Sequence, residues 1–202
     1  MKPTLFIDFD GTLCHDRFWR SLEPELQDKV QNHLFISNRE IVSQWMKGSF
    51  TSEEINRKLS EEIGIDFEDL WEIFVNDCKT MTIESGTLEQ LRELKSLYRI
   101  VLVTDNMDSF DRFTVPALGL NNHFDKIVNS WMVKAFKNDN KGESFRKTIL
   151  DGGSNIDESI LIDNSTQSCE IFKELGGDSY LVTPEKSLSF WLEQLLGSKF
   201  TS

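Results

Sequence analysis

The chain lacks most of what a membrane, secreted or nucleic-acid-binding protein needs. No stretch approaches the ~20 consecutive apolar residues of a membrane helix. The opening MKPTLFIDFDGTL has too short an apolar run, with two acids in it, to read as a signal peptide. Cysteine is scarce: Cys14, Cys78 and Cys169 form an odd, widely spaced set with no C-x-x-C pair. That excludes a disulfide framework and a zinc site, and it suits a reducing, cytoplasmic setting. The three histidines, His15, His33 and His123, show no metal-ligand spacing. Basic residues are outnumbered 22 to 34, for a formal net charge of −12. Neither nucleic acid nor an anionic membrane is therefore an expected partner, because both require clustered Lys and Arg. Phosphorylated small molecules remain open, since local groups and a metal bind them. Oligomeric state is left open, a monomer being compatible with everything above.

What is present is packing material. The 202 residues include fifteen Phe and five Trp, enough for the core of one domain carrying an insertion. Near-continuous apolar runs at Thr4–Ile7, Ile100–Val103, Lys126–Val128, Ile160–Ile162 and Tyr180–Val182 read as buried strands. Helical patterns alternate with the later strands. Thr87–Leu97 opens on Thr87-x-x-Gln90, which reads as a capping box, and Thr166–Leu175 and Leu188–Leu196 follow. This alternation predicts an α/β fold: a Rossmann-like parallel sheet with helices on both faces.

One interval breaks the rhythm. Between the first two strands the pattern is helical. Ile41, Val42, Trp45 and Met46 share a face in a helix that ends at Gly48. Thr51-x-x-Glu54 opens a helix with Ile55, Leu59 and Ile63 that ends at Gly64. Asp66 then opens another with Phe67, Leu70, Trp71, Phe74, Val75 and Cys78. Residues 16–83 thus read as a small helical cap inserted after strand one. Residues 1–15 and 84–202 form the core domain.

Open parallel sheets place ligands beyond the carboxyl ends of their strands. There the sequence sets Asp8-Phe9-Asp10-Gly11-Thr12-Leu13, then Thr104-Asp105-Asn106, then Asn129, Ser130 and Lys137, and finally Asp163-Asn164-Ser165. A carboxylate can attack phosphorus when a divalent cation offsets the repulsion between two anions. A second carboxylic acid can protonate the leaving alkoxide and later take a proton from water. A hydroxyl, N–H groups and a lysine can hold phosphoryl oxygens.

Asp8-Phe9-Asp10-Gly11-Thr12-Leu13 is similar to the first motif, D-x-D-G-T-L, of the haloacid dehalogenase-like (HAD) hydrolase superfamily. The later motifs follow in order over the whole chain, and the insertion after motif one resembles subclass I, with a helical C1 cap. The resemblance implies Asp8 as nucleophile and metal ligand. It implies Asp10 as general acid/base, with its backbone carbonyl on the metal. Thr104, Asp105, Asn106 and Lys137 would form the phosphate-binding set, and Asp163 and Asn164 would complete the Mg2+ site. Asn164 stands where the family often has a second acid, and Asn138 follows the lysine where Pro is usual. The expected activity is a magnesium-dependent phosphatase acting on a small phosphorylated metabolite through an aspartyl-phosphate. A phosphomutase, a dehalogenase and a non-catalytic binding module are the alternatives on the same scaffold.

Overall fold

The computed structural model describes residues 2–197; Met1 and residues 198–202, which the expected core segments include, lie outside the described residues. Five parallel strands, β1 (Thr4–Ile7), β2 (Arg99–Thr104), β3 (Lys126–Asn129), β4 (Ile160–Asp163) and β5 (Asp178–Leu181), form one sheet in the order β3-β2-β1-β4-β5. Both faces of the sheet are covered, which is why the middle positions of its inner strands are apolar on both sides. Side chains alternate between the faces. Leu5, Ile7, Ile100, Leu102, Ile160 and Ile162 join one apolar cluster, and Phe6, Val101, Val103 and Leu161 join another.

The first cluster is roofed by α5 (Thr87–Leu94) and α10 (Leu188–Gly197), through Leu91, Leu94, Leu188, Leu192 and Leu195. The second is roofed by α8 (Asp139–Gly152) and α9 (Thr166–Glu174). There Phe6, Phe145 and Phe172 meet edge to face at centroid distances of 5.2 to 5.6 Å. Short helical turns α6 (Val115–Ala117) and α7 (Ser130–Val133) follow β2 and β3.

Between β1 and β2 stand α1 (Pro24–Val30), a π-helical turn (Gln31–Ser37), α2 (Arg39–Met46), α3 (Ser52–Ile63) and α4 (Phe67–Lys79). Thr51 forms a full capping box with Glu54, Asp66 caps α4, and Gly64 ends α3 with φ +75°. This helical layer has an apolar cluster of its own, built on Trp19, Trp45, Ile55, Leu59, Leu70 and Phe74. Its two crossings to the sheet are clasped by one carboxylate: Thr82 donates to Asp16 Oδ2 from its N–H (2.7 Å) and its hydroxyl (2.8 Å).

Three local expectations are corrected. Thr87 is the first residue of α5 rather than its cap: Gly86, at φ +87°, holds that position, and the Thr87 hydroxyl caps nothing. The helix ends at Leu94, not Leu97. The last strand runs Asp178–Leu181 rather than Tyr180–Val182, because pairing with β4 starts at Ile160 opposite Asp178, a polar start that apolar composition does not flag. The α1 segment, with Pro24 at its first turn, and the π-helical turn were not visible as periodic patterns.

Candidate active site

The chain leaves β1 at Ile7 and folds tightly. The N–H groups of Thr12, Leu13 and Cys14 all point to the Phe9 carbonyl, at 3.3, 3.0 and 2.9 Å. Phe9 is buried against Phe110 with ring centroids 4.8 Å apart. This turn sets Asp8 and Asp10 together beyond the carboxyl end of the sheet. It needs glycine at position 11 because φ is +80°, and a Cβ there would also push the exposed Asn164 side chain aside.

Lys137 is the hub. Its Nζ donates to Asp8 Oδ1 and Asp163 Oδ2, both at 2.6 Å, and all three side chains are almost fully buried. The Lys137 backbone N–H donates to Asp105 Oδ1 at 2.9 Å, which places the lysine across the mouth of β2. Burial works against the Lys137 charge, but Asp8, Asp163 and Asp105 outweigh it and hold the ammonium above the usual lysine range. Burial pushes the Asp8 carboxyl well up, against the pull of Lys137. Asp10 is pushed up to about 6 by burial, with Arg17 and Lys137 opposing. Asp105 is raised for the same reason, burial. Four carboxylates thus crowd one buried cation, and the site is short of positive charge.

The remaining expected residues divide. Thr104, at the end of β2, is buried and its hydroxyl has no partner, so a donor is unspent where phosphate is expected. Asp105 and Asn106, expected on phosphate, instead turn their side chains to protein. Asp105 holds the lysine backbone; Asn106 Nδ2 donates to Asp10 Oδ2 at 2.8 Å, while its Oδ1 accepts from Met107 N–H at 2.9 Å. Asp163 also accepts from Ser165 N–H at 2.8 Å. Asn164 is exposed beside Gly11, its N–H donating to Thr12 Oγ1 at 3.0 Å.

Asn129 and Ser130, expected at the end of β3, act as supports, and Asp108 is a support the sequence reading did not single out. Asn106 N–H is held by Asn129 Oδ1 (3.1 Å) and Ser130 Oγ (3.0 Å), which tie the end of β3 to the β2 loop. Asp108 accepts from Trp45 Nε1 (3.1 Å), Ser52 Oγ (2.5 Å) and Arg112 (2.7 Å), so it joins the helical layer to the sheet. Only the Asp108–Arg112 spacing of i, i+4 was legible in advance. A cavity of about 560 Å3 opens beside Asp10, beneath the helical layer.

A parallel β3-β2-β1-β4-β5 sheet with D-x-D at the end of its central strand and helices inserted after that strand is the HAD fold. A HAD family enzyme from Bacteroides thetaiotaomicron, solved with magnesium and inorganic phosphate, matches at TM-score 0.72 and 19% identity, over 95% of this chain and 99% of that one. A predicted HAD-like family hydrolase from Porphyromonas gingivalis matches at TM-score 0.70 and 19% identity, over 97% and 98%. A 2-haloacid dehalogenase from Pseudomonas syringae pv. tomato matches at TM-score 0.65 and 14% identity, over 98% and 99%. No protein-family model and no curated protein sequence matches the chain. No helix among the described residues is long and apolar enough to cross a membrane.

Proposed function

We propose that the protein is a HAD-like, magnesium-dependent phosphatase that hydrolyses a small phosphorylated metabolite through an aspartyl-phosphate on Asp8, with residues 16–83 as its lid. The observation that carries this reading is the charge-starved cluster of Asp8, Asp10, Asp105 and Asp163 around Lys137. Among the described residues no three His, Cys, Asp or Glu side chains are grouped to hold a metal. A magnesium ion here would rest on the Asp8 and Asp163 carboxylates, the Asp10 carbonyl, the Asn164 amide oxygen and water. That all-oxygen donor set suits a hard cation, and Asp8 and Asp163 share a single buried ammonium. When bound, the ion supplies the positive charge that lets an anionic carboxylate approach an anionic phosphoryl group.

The protein residues do the rest. Asp8 attacks phosphorus, and the phosphorus–ester oxygen bond breaks as Asp10 gives its proton to the departing alkoxide. Asn106 fixes the Asp10 carboxyl for that transfer. Lys137 and the unspent Thr104 hydroxyl hold phosphoryl oxygens. Water then attacks phosphorus, Asp10 takes its proton, and the bond to Asp8 breaks to release phosphate. The dehalogenase alternative needs no proton for a halide leaving group, so the positioned Asp10 counts against it. A small ester is the partner, rather than nucleic acid or membrane, and three buried free thiols suit the cytoplasm.

The test is phosphate release from a generic aryl phosphate, with and without magnesium, by wild type and Asp8→Asn. Magnesium-dependent release by wild type, lost in the variant by at least about 10³-fold, is expected. Undiminished release by Asp8→Asn overturns the covalent mechanism.

A further inference from the structure

The cavity beside Asp10 has walls that discriminate among alcohols. Phe18, Val30, Phe35, Met46 and Met107 form the apolar part of its wall, and Gln27, Asp28 and Gln31 stand on the α1 side. A sugar or glycerol body against the apolar stretch would leave its hydroxyls without hydrogen bonds, which costs free energy for every one buried. An apolar ring meets no such penalty there. The volume, about 560 Å3, lies within the range of ligand pockets and exceeds what a three-carbon chain fills.

The two arginines in this cavity have different duties. Arg20 donates to the Asp77 carbonyl and the Thr80 hydroxyl, both at 2.7 Å, and lies 3.6 Å from the Asp77 carboxylate, so its guanidinium is committed to the fold. Arg17 reaches the neighbouring Asp16 carbonyl at 3.2 Å and stands 3.9 Å from Asp10 Oδ1 with its side chain 61% exposed. No lysine lines the cavity among the described residues. Arg17 is therefore the cation that a bound anion meets on the lid side.

We infer that the substrates are phosphate monoesters of an alcohol bearing an apolar ring, with Arg17 on the phosphoryl oxygens and the ring against Phe35, Met46 and Met107. The inference rests on the phosphatase reading above and adds its substrate class.

The test compares phenethyl phosphate with glycerol phosphate, both primary alkyl esters, so that leaving-group reactivity does not decide the outcome. With the full chain and magnesium, phenethyl phosphate is expected to have the higher kcat/KM by about 100-fold. Met46→Trp, which fills the wall, is expected to shrink that ratio by about tenfold. Arg17→Ala is expected to raise KM for both esters and keep the ratio. Equal kcat/KM for the two esters in wild type overturns the inference and leaves the phosphatase reading standing. An unaltered ratio in a folded Met46→Trp protein also overturns it. Release from neither ester while the aryl phosphate is cleaved overturns the inference alone; release from none of the three overturns the phosphatase reading with it.

Discussion

Asp77 in the helical layer and Asp8 at the end of β1 are both buried carboxylates beside a cation, yet their surroundings differ. Asp77 accepts from Ser21 N–H at 3.0 Å and Ser21 Oγ at 2.5 Å, and pairs with Arg20 at 3.6 Å. Asp108, on the seam between the two regions, is similarly supplied by Trp45, Ser52 and Arg112. Asp8 shares its one buried cation with Asp163 and stands near Asp10, and its carboxyl is pushed up. In the helical layer each buried charge is answered, which makes it part of the architecture. At the strand ends Asp8 and Asp163 share one buried ammonium, and a ligand can supply what that sharing leaves short.

The contrast can be broken by substitution. The largest effect after Asp8→Asn belongs to Asp10→Asn, which removes the proton donor: kcat is expected to fall by about 10² to 10⁴, with the thermal midpoint kept. A variant with normal kcat would remove Asp10 from the chemistry. Asp77→Ala does the reverse. It leaves the Ser21 N–H and hydroxyl without their acceptor, while Arg20 keeps the Asp77 carbonyl and Thr80, and should cost about 2 kcal/mol of unfolding free energy, measured by urea titration. A loss below about 0.5 kcal/mol would show that the helical layer does not depend on answered charge.

Asn164→Asp sharpens the comparison from the other side. A second carboxylate beside Gly11 should lower the magnesium concentration for half-maximal activity several-fold, roughly as one added charge strengthens a hard-cation site. No change would remove Asn164 from the ligand set.

The smallest effect lies on the exposed part of the seam. The Arg112 fork donates to Glu53 at 2.8 and 2.6 Å and holds its carboxyl below the usual range. A lowered folded-state value means that this stabilisation is present above the ordinary glutamate range and is lost as pH falls through the lowered one. Because the pair is partly exposed, Glu53→Gln should cost under about 1 kcal/mol at neutral pH. The difference from wild type should vanish in acid, as followed by thermal melts across that window.

The strands and the turn after β1 were legible because their causes are local. An apolar run of β-branched and aromatic residues buried on both faces makes β1 and β2, and a glycine at position 11 makes the turn. Caps were legible where a side chain made them, as at Thr51 and Asp66, and misread at Thr87, where the glycine before it set the helix start by its backbone alone. The polar beginning of β5 was hidden for a related reason: Asp178 and Ser179 are strand residues because β4 lies beside them, not because of their composition.

By itself, then, the sequence determined the alternation of strands and helices, the interruption after β1, and which residues stand at the strand ends, all of which follow from periodicity and chain order. Only the tertiary structure decided their partners. Asn106 turned to Asp10 across 96 residues, Lys137 bridged Asp8 and Asp163, and Asp108 became the bolt between the two regions. A side chain's hydrogen bond is set by whatever packing brings within about 3 Å, and residues distant in the chain meet at that range only once the sheet and the helical layer have closed together.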